Sequence, residues 1–256
     1  MKLHFYKYHG AGNDFIIINN LDRKINLSQE QINFLCDRHF GIGADGFMEL
    51  LPSENYDFAM KYYNSDGAEG TMCGNGGRCI VAFAKKIGLI GTATKFEAID
   101  GIHKAILHGD DDIELKMNDV TTYKVNENKF IADTGSPHIV IFTENLDDID
   151  VVTEGRKIRY SDEFPEGINV NFVEVRNGQI FMRTYERGVE DETLACGTGT
   201  VATALAANVL LGIDSPVNIT ARGGKLSVKF NKIKNIFTDI WLRGPATFVF
   251  EGEITI

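Results

Sequence analysis

The chain has 256 residues, 43% of them apolar, and a formal net charge of −10. Its length allows one large or two small domains, each with a core of its own. An acidic balance without a Lys/Arg cluster excludes nucleic acid and an anionic membrane surface as expected partners and leaves a small molecule, while four cysteines in a chain of this size fit reduced thiols better than a disulfide framework.

Residues 1–6 alternate like a strand and lack the apolar core of a signal peptide. No run approaches the roughly 18 apolar residues that span a bilayer, so a cytoplasmic protein is expected. Ser28 with Gln31 three residues on forms a capping-box signal and opens a helix toward Arg38. It sets Ile32, Leu35 and Cys36 on one face and makes Cys36 a core residue. A strand-like run at 58–63 leads into Met72-Cys73-Gly74-Asn75-Gly76-Gly77 and an apolar helical run at 80–84, which stops at Gly88 with Lys85 and Lys86 in its last turn. Residues 102–117 read as a hairpin, and the polar stretch 118–123 ends the first unit. A second strand-like run, 180–185, leads into Ala195-Cys196-Gly197-Thr198-Gly199-Thr200 and a helix over 201–211 that stops at Gly212. That helix is apolar almost all round and belongs inside the protein. A hairpin at 225–242 and a strand-like tail at 247–256 complete the chain.

The two cysteine segments are near-copies 123 residues apart, and the same spacing relates Gly12 to Gly135, Tyr62 to Tyr185, Glu69 to Glu192, Ala98 to Ala221 and Gly101 to Gly224 without a gap. This is a duplication of a whole domain, not a solenoid of short repeats. The expected fold is α/β of the α+β type: two pseudo-symmetric domains, each a mostly antiparallel β-structure wrapped around a central helix. The boundaries fall at 1–118, completed by the returning strand 246–256, and 119–245.

A thiol at a helix N-terminus is shifted toward the thiolate and can act as a base near neutral pH. Glycines in the following turn let unpaired N–H groups approach an anion such as a carboxylate. Each loop therefore offers a base beside an anion hole. Two of them acting on one substrate give a two-base racemase or epimerase, in which Cys73 or Cys196 takes the α-proton and the other returns one on the opposite face. Backbone dipoles would hold the enolate-like charge.

Other readings compete. Cys36 and Cys79 fit small core residues. Gly197-x-Gly199-x-x-Ala202 matches the dinucleotide fingerprint by letter, but its glycines do not directly follow a strand. Ligand spacing does not favour a metal. A Cys-His hydrolase through His138 or His9 explains only one of two equivalent cysteines, and His138 otherwise reads either as a residue that supports the site from behind or as a packed loop residue. Glu186-Arg187 is a surface ion pair or a clamp for a zwitterion, and Glu190-Asp191-Glu192 reads as a solvated loop.

Several segments, in order and across nearly the whole chain, carry a resemblance to a known family: His9-Gly10-Ala11-Gly12-Asn13-Asp14-Phe15, Asp37-Arg38 with Gly41-Ile42-Gly43-Ala44-Asp45, Asn64-Ser65-Asp66-Gly67, Cys73-Gly74-Asn75-Gly76-Gly77-Arg78-Cys79, Asn169-Val170-Asn171-Phe172, and Glu186-Arg187-Gly188 with Glu192-Thr193-Leu194-Ala195-Cys196-Gly197-Thr198-Gly199. In them the chain resembles the diaminopimelate epimerases, cofactor-independent enzymes of lysine and peptidoglycan-precursor synthesis. The resemblance implies Cys73 and Cys196 as the acid/base pair, with the backbone N–H groups of Gly74, Asn75, Gly197 and Thr198 on the reacting carboxylate. It implies Asn13, Asn64, Asn169 and Arg187 as substrate-binding residues, Glu186 on the distal ammonium, and His138 and Glu186 as modulators of the thiol pKa. Diaminopimelate is then the partner, with no cofactor and no metal, and a homodimer is left open. Ser136 stands where many members have an asparagine ligand, Gly46 where some have a glutamine, and the 188–192 loop is one residue longer than the commonest form. The rivals are a proline or hydroxyproline racemase of the same superfamily, whose substrates lack a distal zwitterion, a thiol redox switch joining Cys73 to Cys196, and a non-catalytic amino-acid-binding module.

Overall fold

Leu3 and Phe5 are buried while Lys2 and His4 are exposed, the two-residue period of a strand with one face on a core. The same alternation recurs along most of the chain, which a computed structural model describes from Met1 to Ile256. It divides into two units, Met1–Leu115 with Pro245–Ile256, and Lys116–Gly244.

The first unit carries β1 (Lys2–Gly10), β2 (Asn13–Asn19), α1 (Gln29–Cys36), β3 (Gly46–Leu51), β4 (Phe58–Asn64), β5 (Glu69–Gly70), α2 (Gly74–Lys86), β6 (Ala93–Ala98), β7 (Gly101–Leu107) and β8 (Asp112–Lys116). The second carries β9 (Tyr123–Asn126), β10 (Lys129–Asp133), β11 (Pro137–Phe142), α3 (Val151–Arg159), β12 (Asn169–Arg176), β13 (Gln179–Glu186), β14 (Asp191–Thr193), α4 (Gly197–Leu211), β15 (Val217–Ala221), β16 (Gly224–Ile233) and β17 (Ile236–Pro245). The last strand, β18 (Thr247–Thr255), pairs antiparallel with β1 inside the first unit.

Both units run the same ladder. In the first, β18, β1, β2, β3, β4, β6, β7 and β8 pair in that order, with β5 added to β4. In the second, β9 to β13, then β15, β16 and β17, do the same, with β14 on β13. Most pairs are antiparallel; β2–β3, β4–β6, β11–β12 and β13–β15 are parallel. β18 thus fills in its unit the place that β9 fills in the other.

The register corrects the gapless alignment along one strand. Phe15 pairs with Gly46 as His138 pairs with Asn169, in step with the 123-residue spacing, but Tyr62 pairs with Gly70 where Thr184, not Tyr185, pairs with Thr193. A tight Asn177-Gly178 turn, both residues at positive φ, removes one residue before β13. The longer 188–192 loop restores it. Glu186 therefore occupies the ladder position of Asn64.

Each unit wraps its sheet around one helix. α4 touches β10, β11, β12, β13, β15 and β16, and α2 touches β1, β2, β3, β7 and β18. Residues 199–207 are buried without a break, as the all-round apolar sequence requires. Gly212, at φ 69°, ends α4 in the left-handed conformation that glycine adopts without cost. Cys36 lies in the core with Ile32 and Leu35 behind the Ser28–Gln31 capping box, and burial pushes its thiol up to about 12.

α3 is the counterpart of α1 and rests on β13 through Gly155, where a Cβ would stand 2.4 Å from the Cβ of Tyr185. Gly155→Ala gains about 1 kcal/mol of helix propensity and overpacks the root of a buried ring at a cost of about 1–3 kcal/mol. The clash prevails, and we expect urea unfolding to show a net loss of about 1 kcal/mol; an unchanged midpoint would mean that α3 is free to shift away from the sheet.

Candidate active site

Both cysteines are helix N-caps. In the first unit Cys73 precedes α2, and its Sγ accepts the N–H of Gly76 at 3.2 Å. A methyl group on Gly76 would lie 3.2 Å from that sulfur, and one on Gly77 2.7 Å from Met72 Sδ, so a side chain at either position requires its neighbour to shift. Asn75, buried, donates through Nδ2 to Asn13 Oδ1 at 3.2 Å and accepts Arg78 Nη2 on Oδ1 at 2.9 Å. Asn13 in turn donates to Asp45 Oδ2 at 2.7 Å. Arg38 donates to both Asp45 and Asp14 at 2.7 Å, and Lys7 joins Asp14 at 2.6 Å and the Gly43 carbonyl. Burial works against the Asp14 carboxylate, but hydrogen bonds and charge from Arg38 and Lys7 outweigh it and hold the group down to about 2. Asn13 is thereby fixed behind the α2 turn. Asn64 ends β4, exposed, outside this hydrogen-bonded set.

In the second unit Cys196 precedes α4, and its Sγ lies 3.5 Å from Thr198 Oγ1. That hydroxyl is 2.8 Å from His138 Nε2, and His138 Nδ1 is 3.1 Å from Asn171 Nδ2. The donors follow from one end of the chain: Thr184 donates to Asn171 Oδ1 at 2.9 Å, so Nδ2 is the donor to the Ile139 carbonyl and to His138 Nδ1. The imidazole then carries its proton on Nε2 and gives it to Thr198 Oγ1, which still has a proton to donate to the Cys196 sulfur and a lone pair to accept from it. Full burial, aided by the charge of Arg187, pulls the His138 pKa down to about 3 and keeps the ring neutral. Gly199 is needed because a Cβ there would meet Asn171 Oδ1 at 2.5 Å.

His138 therefore stands on strand β11, not in a loop, and reaches Cys196 through a hydroxyl, not as a direct Cys-His pair. Asn169 accepts the backbone N–H of Arg187 at 2.8 Å and donates to Ser136 Oγ at 2.9 Å, which ties Ser136 to the place of Arg187. Glu186, at the end of β13, accepts the Thr193 hydroxyl at 2.8 Å. Residues 190–192 are not a solvated acidic run. Glu192 takes a bidentate pair from Arg183 at 2.7 and 2.8 Å and a third bond from Arg222 at 3.0 Å, and Glu190 accepts from Tyr185 and faces Arg159 at 3.3 Å. The extra residue of the longer loop is anchored, and Glu186 keeps its strand position.

Gly74, Asn75, Gly197 and Thr198 all lie in the first turn of α2 or α4, where N–H groups lack partners within the helix. In each half the thiol and the first-turn N–H groups thus belong to one structural unit. The sequence reading overlooked Asn171, Thr184 and the Thr198 hydroxyl. The signal lay in strand alternation, since Asn169 and Asn171 fall on one face of β12 amid apolar residues.

A family profile described as diaminopimelate epimerase matches residues 5–123 and 130–249. The diaminopimelate epimerase of Flavobacterium psychrophilum is 51% identical over 261 residues, covering 99% of this chain and 100% of its own. Among solved structures, a phenazine biosynthesis protein of the PhzF family from Bacillus anthracis superposes with a TM-score of 0.80 at 14% identity over 100% of both chains. A hydroxyproline epimerase from Agrobacterium vitis gives 0.71 at 15% identity over 99% of this chain and 91% of its own. At such identities these two establish the fold alone. No helix is long and apolar enough to cross a membrane.

The donor order Asn171 to His138 to Thr198 fixes an observable. Nitrogen NMR of the imidazole should report a neutral ring protonated on Nε2 from pH 8 down to about pH 4, since its pKa lies near 3. An imidazolium signal at pH 6 would contradict the assignment. The sign for stability follows: with the folded pKa below the unfolded value of about 6.5, His138 costs stability as pH falls from there toward 3.

Proposed function

The chain belongs to the diaminopimelate epimerase family, and we propose that it interconverts LL- and meso-diaminopimelate by a cofactor-independent, two-base exchange of one α-proton. The observation that carries this reading is the repetition of one chemical unit, a cysteine capping a glycine-opened helix, at the same point of two identical ladders.

The thiolate of one cysteine, Cys73 or Cys196, removes the α-proton while the thiol of the other delivers one to the opposite face. Each sulfur ends in the state that the other held, so no net proton is taken up and the reverse reaction starts from the product arrangement. The α-carboxylate gathers the electron pair released from the C–H bond. The N–H groups of Gly74, Asn75, Gly197 and Thr198 are our candidates to stabilise that charge, because such dipoles are aimed before reaction and need no reorganisation. Asn13, Asn64, Asn169 and Arg187 are assigned to the substrate, with the Arg187 fork on the distal carboxylate and Glu186 on the distal ammonium. His138, through Thr198, and Glu186 are assigned to tuning the thiols. A distal clamp of this kind has nothing charged to hold on a proline. We place the reaction in the cytoplasm, where thiols stay reduced; a homodimer is an open option that sedimentation tests.

Incubation of the reduced protein with LL-diaminopimelate in D2O should place deuterium at one α-carbon and yield the meso isomer. Reduced, folded protein that does neither would sink the proposal. Cys73→Ala and Cys196→Ala should each lower epimerisation by about 10³-fold or more, the scale of losing a group whose partner cannot act alone, and an active single variant would exclude the two-cysteine mechanism.

A further inference from the structure

Arg78 lies one turn below the opening of α2 and is fully buried, at 0% exposure. Its hydrogen bonds go to neutral oxygens: Nη1 to the Gly74 carbonyl at 3.0 Å, Nη2 to Asn75 Oδ1 at 2.9 Å and Nε to the Pro245 carbonyl at 3.3 Å. No carboxylate pairs with it. A guanidinium taken out of water without an anion is costly, and folds keep one only where something compensates. Packing does not demand it, because the matching position of α4 is Val201, also at 0% exposure. The duplicated framework is content with an apolar residue there, and only the α2 half carries the charge.

The contacts of Arg78 lead toward the turn that opens α2. The carbonyl of Gly74 and the N–H of Asn75 belong to one peptide group. A charge-assisted bond to that oxygen polarises the group and makes its N–H a stronger donor. The second contact orients the Asn75 side chain, whose amide reaches Asn13.

We propose that Arg78 is a positioning residue that supplies the buried counter-charge for the substrate α-carboxylate at the α2 N-terminus and strengthens the Asn75 N–H as charge builds on that carboxylate. The inference rests on the epimerase reading above. The substrate completes the ion pair that no carboxylate of the protein provides, and the stabilisation grows as proton abstraction adds charge to the same atoms.

The test uses the full chain with Arg78→Met and Arg78→Lys, after the wild type has shown epimerisation in D2O. A wild type inactive toward diaminopimelate would refute the functional reading, not the role of Arg78 in it. Given an active wild type, Arg78→Met should keep or raise the Tm without ligand, since an uncompensated charge is gone, and lose the rise that diaminopimelate gives the wild type. Its kcat/KM should fall by about 100-fold or more, the scale of removing one donor from an oxyanion site. Arg78→Lys keeps the charge and should stay within about tenfold of wild type, a loss no greater than one ordinary hydrogen bond. The proposal is overturned if Arg78→Met retains kcat/KM within that same tenfold, or if Arg78→Lys loses as much as a folded Arg78→Met. It is equally overturned if Arg78→Met moves only the pH profile of Cys73 alkylation while binding of diaminopimelate is unchanged, for then the cation serves the thiol. Should the methionine variant not fold, the lysine variant decides alone: retained kcat/KM supports the counter-charge, and a 100-fold loss refutes it.

Discussion

A helix that begins inside a protein must find acceptors for the N–H groups of its first turn, and each unit of this chain begins its central helix inside. In α2 the Cys73 sulfur takes one of these groups; in α4 no side chain caps the turn, and the Thr200 hydroxyl donates back to the Cys196 carbonyl. The glycines that follow each cysteine bring no side chains of their own over the donors. A compact anion is the acceptor that such a turn suits best, and a thiol placed at its edge shares the same field. Thiol, glycines and apolar helix body recur together at both helix starts, although only the Cys73 sulfur itself accepts a first-turn N–H.

The duplication was kept where it matters for that problem and relaxed elsewhere. One residue fewer in the turn before β13 and one more after it slide a single strand by one position against both its neighbours, with the parallel pair β11–β12 undisturbed. The slide puts Glu186 where the first unit has Asn64, an ionisable group in the place of a neutral amide. The added residue would cost chain entropy in a free loop. Here the Glu190 carboxylate holds the N–H of Gly188 at 3.1 Å and the hydroxyl of Tyr185 at 3.0 Å, and packs the insertion against α3. An insertion beside a reactive thiol is tolerated because its charge is spent on neighbours, not on the sulfur.

Much of this was legible in the residues. The capping box gave α1, the all-apolar run gave the buried α4, and the cysteine repeat gave the two-fold plan. The matching α3 was not foreseen, because Asp150 caps it with Thr153 and without the Glu or Gln of a capping box. Parallel pairs such as β2–β3 join segments far apart in sequence, which periodicity does not report. The charge of residues 190–192 is no guide, since Glu190 and Glu192 find their partners Arg159, Arg183 and Arg222 on α3, on β13 and in the turn between β15 and β16. A strand position slipped by one residue leaves the composition unchanged, so the alignment of Tyr62 with Tyr185 looked sound until the ladder was known.

The two thiols are equal in their helix ends and unequal in what lies behind them. Behind α2 are ions: Arg78, and farther back Arg38, Lys7, Asp14 and Asp45. Behind α4 is a neutral line of Thr184, Asn171, His138 and Thr198, whose imidazole does not titrate in the range where thiols do. A fixed positive charge favours negative charge at the first turn whenever it appears there, on a carboxylate above all. A neutral hydroxyl line bonds to a thiolate or to a thiol by rotating one proton, and commits to neither. For a reaction in which each sulfur must end as the other began, strong permanent charge behind both thiols would trap one protonation state. Charge behind α2 and a neutral line behind α4 would keep both directions of the proposed exchange open.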